Sequence, residues 1–211
     1  MLNNCFTIRV DMDDTIEHLL KAWVAWLNAK YYLTVEYENI REWDMTLNFP
    51  TLTEEQVYQP LELKEFWETV QPIEGASEIL KQLIEEDGQD VYIVTSPGSF
   101  KSVAPKIEAV LHKYFDFIDD DNIVIAKNKS MICADIVIDD NIDNLCPYND
   151  TTFPLVRLLF DSPHNRDMDI DEISRDLNIA ITRVHSWGEV YDIIRGIDLA
   201  YSTLKAETST Y

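Results

Sequence analysis

Residues 6–16 read Phe-Thr-Ile-Arg-Val-Asp-Met-Asp-Asp-Thr-Ile, a short apolar run that stops at a cluster of carboxylates. Short apolar or β-branched runs that end in polar residues are typical of strands buried in a parallel sheet. Residues 6–10 are therefore predicted to form the first strand. Four later runs have the same character: residues 91–94, 123–126, 136–138 and 155–160.

Helical patterns lie between these strands. They cover residues 76–86, 100–114 and 187–197, and Pro105 is expected in the first turn of the second helix or at a kink. Strands that alternate with helices favour an α/β fold with a doubly wound parallel sheet.

One long segment, residues 16–74, interrupts this alternation. It combines helical pattern with polar loop, and it holds ten of the 23 aromatic residues of the chain. We expect it to form a small helical cap, with Trp23 and Trp26 in its core. The predicted organisation is an α/β core of residues 1–15 and 75–200, a cap of residues 16–74 and a tail of residues 201–211.

The charge balance excludes several classes of partner. The chain of 211 residues carries 17 Lys and Arg against 39 Asp and Glu, a formal net charge of −22. Such a surface repels nucleic-acid polymers and anionic membranes, so a small molecule is the expected partner. Three cysteines without a CxxC pair indicate a reducing compartment, and we expect a cytoplasmic protein. A homodimer is left open.

Polar side chains follow the predicted strands, and ligands of open α/β sheets bind at the carboxyl ends of the strands. Clustered carboxylates repel one another unless a cation joins them, and hard oxygen ligands select Mg²⁺. We therefore expect a Mg²⁺ site in which the last two aspartates hold the metal and a lysine balances the charge of a phosphate. The residues are Asp11, Asp13 and Thr15, then Thr95 and Ser96, then Lys129, then Asp139 and Asp140.

The chemistry that needs this set is phosphoryl transfer to a carboxylate. Asp11 is the predicted nucleophile, and it would form an aspartyl phosphate. Asp13, two residues on, would protonate the leaving alkoxide and later deprotonate the attacking water. Thr95 and Ser96 would hydrogen-bond the phosphoryl oxygens in the transition state.

These segments resemble the four motifs of the haloacid dehalogenase (HAD) superfamily of phosphatases. Within it, the chain is similar to the 5'(3')-deoxyribonucleotidases. The carrying residues are 10–16, Thr95-Ser96, Lys129, Ile138-Asp139-Asp140, His164-Asn165 and His185-Ser186-Trp187.

The resemblance implies a Rossmann-like core with a helical cap between the first two motifs, and Mg²⁺-dependent release of phosphate from (deoxy)ribonucleoside monophosphates. It also implies a metal site of Asp11, the Asp13 carbonyl, Asp139 and Asp140. Asp14 stands where the family usually has glycine. Leu19 stands at an aromatic position of the base pocket, and Trp43 is the expected stacking wall.

Two other functions stay open at the level of sequence. A HAD phosphatase could act on sugar phosphates or another small phosphomonoester. A receiver-like signalling module also uses an acidic cluster, a Thr, a Lys and Mg²⁺. However, a receiver places its acidic pair at the first strand and its phosphoacceptor at a later strand, and it has no cap. The order of the motifs therefore disfavours the receiver.

Overall fold

The sheet is the frame on which the site is built. A computed structural model describes residues 2–146 and 154–208 and shows, within them, one sheet of six parallel strands in the order β3-β2-β1-β4-β5-β6. The fold is therefore the predicted doubly wound α/β fold. The strands are β1 Thr7–Val10, β2 Asp90–Thr95, β3 Ile123–Ile125, β4 Ile136–Asp139, β5 Val156–Phe160 and β6 Thr182–Val184.

Helices cover both faces of the sheet and fill the long segment after β1. The α-helices are α1 Leu19–Tyr31, α2 Met45–Asn48, α3 Glu54–Tyr58, α4 Lys64–Trp67, α5 Ala76–Lys81, α6 Phe100–Lys106, α7 His112–Tyr114, α8 Ile142–Leu145, α9 Ile170–Leu177 and α10 Trp187–Thr208. The π-helical segments Gln82–Glu86 and Ile107–Leu111 extend α5 and join α6 to α7. Short 3₁₀ turns lie at Tyr37–Asn39, Gln59–Glu62, Asp120–Asn122 and Lys129–Met131.

The centre of the sheet brings the first and last motifs together. β1 lies between β2 and β4, and Val10 is in register with Ile93 and with Ile138. The residues that follow these three positions, among them Asp11 and Asp139, therefore emerge at the same edge. All of these strand positions are buried, which explains why the strands read as continuous apolar runs.

Residues 16–74 contain α1 to α4, and their apolar side chains pack into a single cluster with β1 and β2. Trp23 is buried there and its indole Nε1 donates to the carbonyl of Val57 at 2.7 Å. Trp26 is only half-buried, and its ring meets Phe66 edge to face. The aromatic residues of this segment thus largely serve its packing.

Two elements differ from the sequence-based expectation. β6 was not foreseen, because this edge strand has only three residues and only Val184 is buried. Helix α10 continues through residues 201–208, where a tail was expected, and residues 209–211 lie outside the described residues. In the described part of the chain, none of the helices combines the length and hydrophobicity that a bilayer crossing requires.

Candidate active site

Asp11 follows β1 directly and lies at the centre of the site. Its Oδ1 accepts the backbone N–H of Met12 at 2.6 Å and lies 2.5 Å from the Nζ of Lys129. Among the described residues, no donor reaches the other oxygen, Oδ2. Burial and the charge of Asp139 raise the pKa of Asp11 to about 7, against the opposing effect of Lys129. Oδ1 of Asp11 is thus held by two donors, whereas Oδ2 is free of donors among the described residues.

Three buried carboxylates meet at this edge. Asp11, Asp139 and Asp140 each offer an oxygen within 4.8 Å of the others. Burial raises the pKa of Asp139 and that of Asp140 above the ordinary value. A divalent cation removes this cost because it favours the charged forms, and hard oxygen donors are the set that Mg²⁺ takes in proteins. The residues present therefore fit a divalent cation.

The two adjacent aspartates of this cluster differ in how their oxygens are used. Oδ1 of Asp139 accepts from the Asn141 N–H at 3.0 Å and from the Asn144 amide at 2.9 Å, and Oδ2 lies 3.3 Å from Lys129. In contrast, Oδ1 of Asp140 is buried and has no partner among the described residues. Asp140 is therefore the better placed of the two to give an oxygen to a cation.

A second lysine, Lys106, connects the acid/base candidate to the second motif. Its Nζ lies 2.5 Å from Oδ2 of Asp13 and donates to Oγ1 of Thr95 at 2.6 Å. The Thr95 oxygen accepts this bond, so the Thr95 hydroxyl proton stays available for a ligand oxygen. Lys106 thus links Asp13, which follows β1, to Thr95, the last residue of β2.

The floor of a cleft of about 1020 Å³, between the sheet edge and residues 16–74, is formed by Asp11, Asp13, Lys106, Lys129 and Asp140. Ser96, the predicted phosphate ligand, lines this cleft, and so do Leu19 and Trp43, the predicted substrate residues. No hydrogen bond links Ser96 to the other site residues that the structure describes. Trp43 is 63% exposed. The wall contributed by residues 16–74 combines apolar and aromatic side chains with four glutamates and a glutamine: Leu19, Leu20, Trp23, Ile40, Trp43, Met45, Tyr58, Leu61 and Trp67, and Glu42, Glu54, Glu55, Glu62 and Gln59.

Comparison with known proteins assigns the chain to a family. The sequence profile of the family described as "5' nucleotidase, deoxy (Pyrimidine), cytosolic type C protein" matches residues 4–199. The chain belongs to this nucleotidase family. A Bacillus subtilis protein named 5'(3')-deoxyribonucleotidase is 35% identical over 181 residues, which cover 81% of this chain and 97% of that protein. The human mitochondrial 5'(3')-deoxyribonucleotidase is 31% identical over 136 residues, 63% of this chain and 55% of that protein.

Solved structures of HAD hydrolases share the fold of this chain. A haloacid dehalogenase-like hydrolase from Streptococcus pneumoniae superposes with a TM-score of 0.55 at 13% identity, covering 90% of this chain and 98% of that one. A putative HAD hydrolase from Bacillus subtilis, whose structure has bound magnesium, gives 0.51 at 16% identity, covering 90% and 99%. The nucleotidase is therefore a phosphomonoester hydrolase with a HAD-type fold.

Asp14 shows how this nucleotidase does without the glycine of the first motif. Its φ of 52° lies in the left-handed region, which glycine adopts at no steric cost and Asp tolerates better than most residues. The Asp14 carboxylate accepts the backbone N–H of Leu20 at 3.1 Å, in the first turn of α1. Asp14 therefore also holds the start of helix α1.

Two further residues beside Asp13, Lys106 and Glu17, give no signal in the sequence, and a third, His164, enters only through the resemblance. Lys106 lies in a helix and carries no motif signal beyond the preceding Pro105. Glu17 is fully buried beside Asp13, and burial with the charge of Asp13 raises its pKa well above the ordinary value. His164 was noted only as part of the resemblance. Its Nε2 lies 3.2 Å from Asp140, and its ring meets that of Trp43 edge to face at 4.9 Å.

Proposed function

We propose that this nucleotidase releases phosphate from deoxyribonucleoside monophosphates in a Mg²⁺-dependent reaction that passes through a phosphoryl group on Asp11. The observation that carries the proposal is the meeting of Asp11, Asp13, Lys129 and Asp140 on the floor of one cleft, with Thr95 linked to Asp13 through Lys106. The relatives named 5'(3')-deoxyribonucleotidase support the substrate class.

Asp11 supplies the nucleophile. Its Oδ1 is held by the Met12 N–H and by Lys129, which leaves Oδ2 to attack phosphorus. Lys129 is buried between Asp11 and Asp139. Although burial lowers the pKa of Lys129, the two carboxylates raise it above its ordinary value, so Lys129 is a permanent cation beside the incoming phosphate.

Asp13 acts as the acid and base. Its carboxyl gives a proton to the 5'-oxygen of the leaving nucleoside and later takes one from the water that attacks the aspartyl phosphate. Lys106 holds one oxygen of Asp13, so the position of this carboxyl is fixed before substrate binds. The Thr95 oxygen accepts from Lys106, so its hydroxyl proton is the one to be donated to a phosphoryl oxygen, and Ser96 lines the cleft for a second bond.

Asp11 and Asp140 would hold the cation, with Asp139 behind them and with the Asp13 carbonyl as the further predicted ligand. When bound, the cation screens the repulsion between the nucleophilic carboxylate and the phosphate dianion.

We further propose that residues 16–74 act as the cap that binds the nucleoside, over a core of residues 1–15 and 75–200. Aromatic side chains are among the residues that line this side of the cleft, and base stacking on such side chains is worth about 1–3 kcal/mol per base. Trp43 is the candidate stacking residue because its ring is exposed to the cleft and fixed at one edge by His164. A sugar phosphate has no aromatic ring to stack on this wall.

A phosphate-release screen tests the proposal. Deoxyribonucleoside and ribonucleoside monophosphates and sugar phosphates are compared with Mg²⁺ and with excess chelator, using Asp11→Asn as the inactive control. Release should be fastest from deoxyribonucleoside monophosphates and absent in chelator or in Asp11→Asn. Faster release from sugar phosphates would reject the substrate assignment, and undiminished release in chelator would reject the metal.

A further inference from the structure

Arg9 is an unusual residue for the middle of the central strand. It lies two residues before Asp11, and it is 4% exposed. Burial lowers the pKa of its guanidinium, and a charge placed in a protein interior costs several kcal/mol unless it is well compensated. The guanidinium lies between two segments that carry site residues, so its contacts indicate what compensates this cost.

The guanidinium of Arg9 donates to three backbone carbonyls. Nη1 reaches the carbonyls of Lys129 at 2.6 Å and Ile132 at 3.1 Å, and Nη2 reaches that of Asn144 at 2.6 Å. The first two carbonyls belong to the turn that carries Lys129, and the third belongs to α8, which follows the last motif. One side chain therefore ties both segments to the central strand.

Both segments place groups of the site. Lys129 extends from its fixed backbone to within 2.5 Å of Asp11 and 3.3 Å of Asp139. Asn144, whose carbonyl binds Arg9, donates its side-chain amide to Asp139 at 2.9 Å. A shift of either backbone would move a partner of the carboxylate cluster.

A second buried arginine, Arg157, also donates to a backbone carbonyl but does not contact the Lys129 turn, so it serves as a comparison for Arg9. Arg157 lies on β5, and Val137 is the register partner of both arginines, so the two side chains lie on the same face of the sheet. Arg157 is 5% exposed, and its Nε donates to the carbonyl of Leu145 in α8 at 3.1 Å. It makes no hydrogen bond to the Lys129 turn among the described residues.

We propose that Arg9 is a positioning residue, which sets the place of the Lys129 ammonium and of Asp139 by holding the backbone of Lys129 and Asn144. This rests on the proposed function, because it assigns the phosphate-binding lysine and the metal site as the groups positioned. Groups that orient metal ligands typically affect metal affinity or activity by about 10–100-fold when changed.

The test compares Arg9→Met with Arg157→Met, which removes a buried arginine from the same face. The kcat/KM for a deoxyribonucleoside monophosphate, the Kd for inorganic orthophosphate and the Mg²⁺ concentration for half-maximal rate are measured below the Tm of each variant. Arg9→Met should lose about 10–100-fold in kcat/KM and bind orthophosphate more weakly. Arg157→Met should keep both values. Equal losses in the two variants would overturn the proposal.

A double-mutant cycle adds a readout that a merely structural role would not move. If Arg9 acts through Lys129, then Arg9→Met should cost much less in kcat/KM when Lys129→Met is already present. Independent, multiplicative losses would reject the coupling.

Arg9→Lys carries the test if Arg9→Met does not fold. An ammonium cannot serve both segments as the guanidinium fork does, so Arg9→Lys should also lose activity, and wild-type activity in it would reject the proposal. A wild-type protein that hydrolyses no phosphomonoester would reject the proposed function itself, and the role of Arg9 with it.

Discussion

Replacing Lys106 by methionine removes a cation from the floor of the cleft while keeping most of the side-chain volume. The ammonium is 2.5 Å from Asp13 and 2.6 Å from Thr95, and its side chain is 4% exposed, against 26% for Asp13. Breaking a fully buried pair costs about 3–5 kcal/mol. Because Asp13 is partly hydrated, we expect a loss of about 2 kcal/mol of unfolding free energy.

Lys106→Met should lower kcat by more than its effect on the free energy of unfolding alone would suggest. Lys106→Met frees the Asp13 carboxyl from its fixed position and leaves Thr95 without its donor. It also removes a positive charge next to the transferred phosphoryl group. Loss of one preorganised donor to a transition state costs about 10²–10³-fold in kcat, and we expect a loss of this size for every phosphomonoester. The assay is steady-state phosphate release, with Tm measured in parallel.

Lys101→Met is the matched control. Lys101 lines the same cleft, but its side chain is 78% exposed and pairs with Glu62 at 3.2 Å on the surface. Exposed pairs contribute about 0–1 kcal/mol, so stability and kcat should stay near those of the wild type. Wild-type kcat in a folded Lys106→Met variant, or the same loss in both variants, would refute the role given to Lys106.

Further predictions concern the metal, the cap and the acid. Burial and the Asp139 charge raise the pKa of Asp11 to about 7, so without metal the protonated carboxyl stabilises the fold at low pH, and this contribution is lost as the pH rises through 7. The Tm in EDTA should therefore fall from about pH 5 to about pH 8, and Mg²⁺ should raise the Tm most at the higher pH; a Tm unchanged by Mg²⁺ at both pH values contradicts this. Trp43→Ala should weaken nucleotide binding by about 1–3 kcal/mol and leave hydrolysis of a small aryl phosphate unchanged, whereas Leu47→Ala, an exposed cap residue outside the cleft, should affect neither; equal losses on both substrates would make Trp43 a packing residue. Asp13→Asn should hydrolyse nucleotides very slowly, because a 5'-alkoxide needs an acid, yet release p-nitrophenol from its phosphate ester in a burst of up to one equivalent; a burst in Asp11→Asn and none in Asp13→Asn would reverse the two roles.

The sequence predicted the groups that follow strand ends, because position along a strand dictates position at the sheet edge. Asp11, Asp139 and Asp140 come directly after or at the end of two neighbouring central strands, and the fold brings their oxygens within 4.8 Å. Lys129 reaches Asp11 from a turn after β3. The register between β1 and β4 fixes the positions of the three aspartates whatever the packing of the side chains around them.

Groups that depend on packing were not predictable in this way. Lys106 and Glu17 read as ordinary charged residues, and only tertiary contacts bury them beside Asp13. The role of Arg9 is equally invisible in the sequence, because a charged residue in a strand pattern gives no sign of the carbonyls that it binds. The separate uses of Asp139 and Asp140 also needed the structure, because two adjacent aspartates look identical in sequence.

The position of the transferred phosphoryl group shows whether Asp11 is the nucleophile. The Asp13→Asn variant is mixed with p-nitrophenyl phosphate and Mg²⁺ and quenched in acid during the burst. The protein is then digested, and the masses of the peptides are measured by mass spectrometry. We expect one added phosphoryl group on the peptide that contains Asp11, and none in an Asp11→Asn/Asp13→Asn double variant. A burst of p-nitrophenol with a phosphoryl group on another residue, or with none on the protein at all, would contradict it.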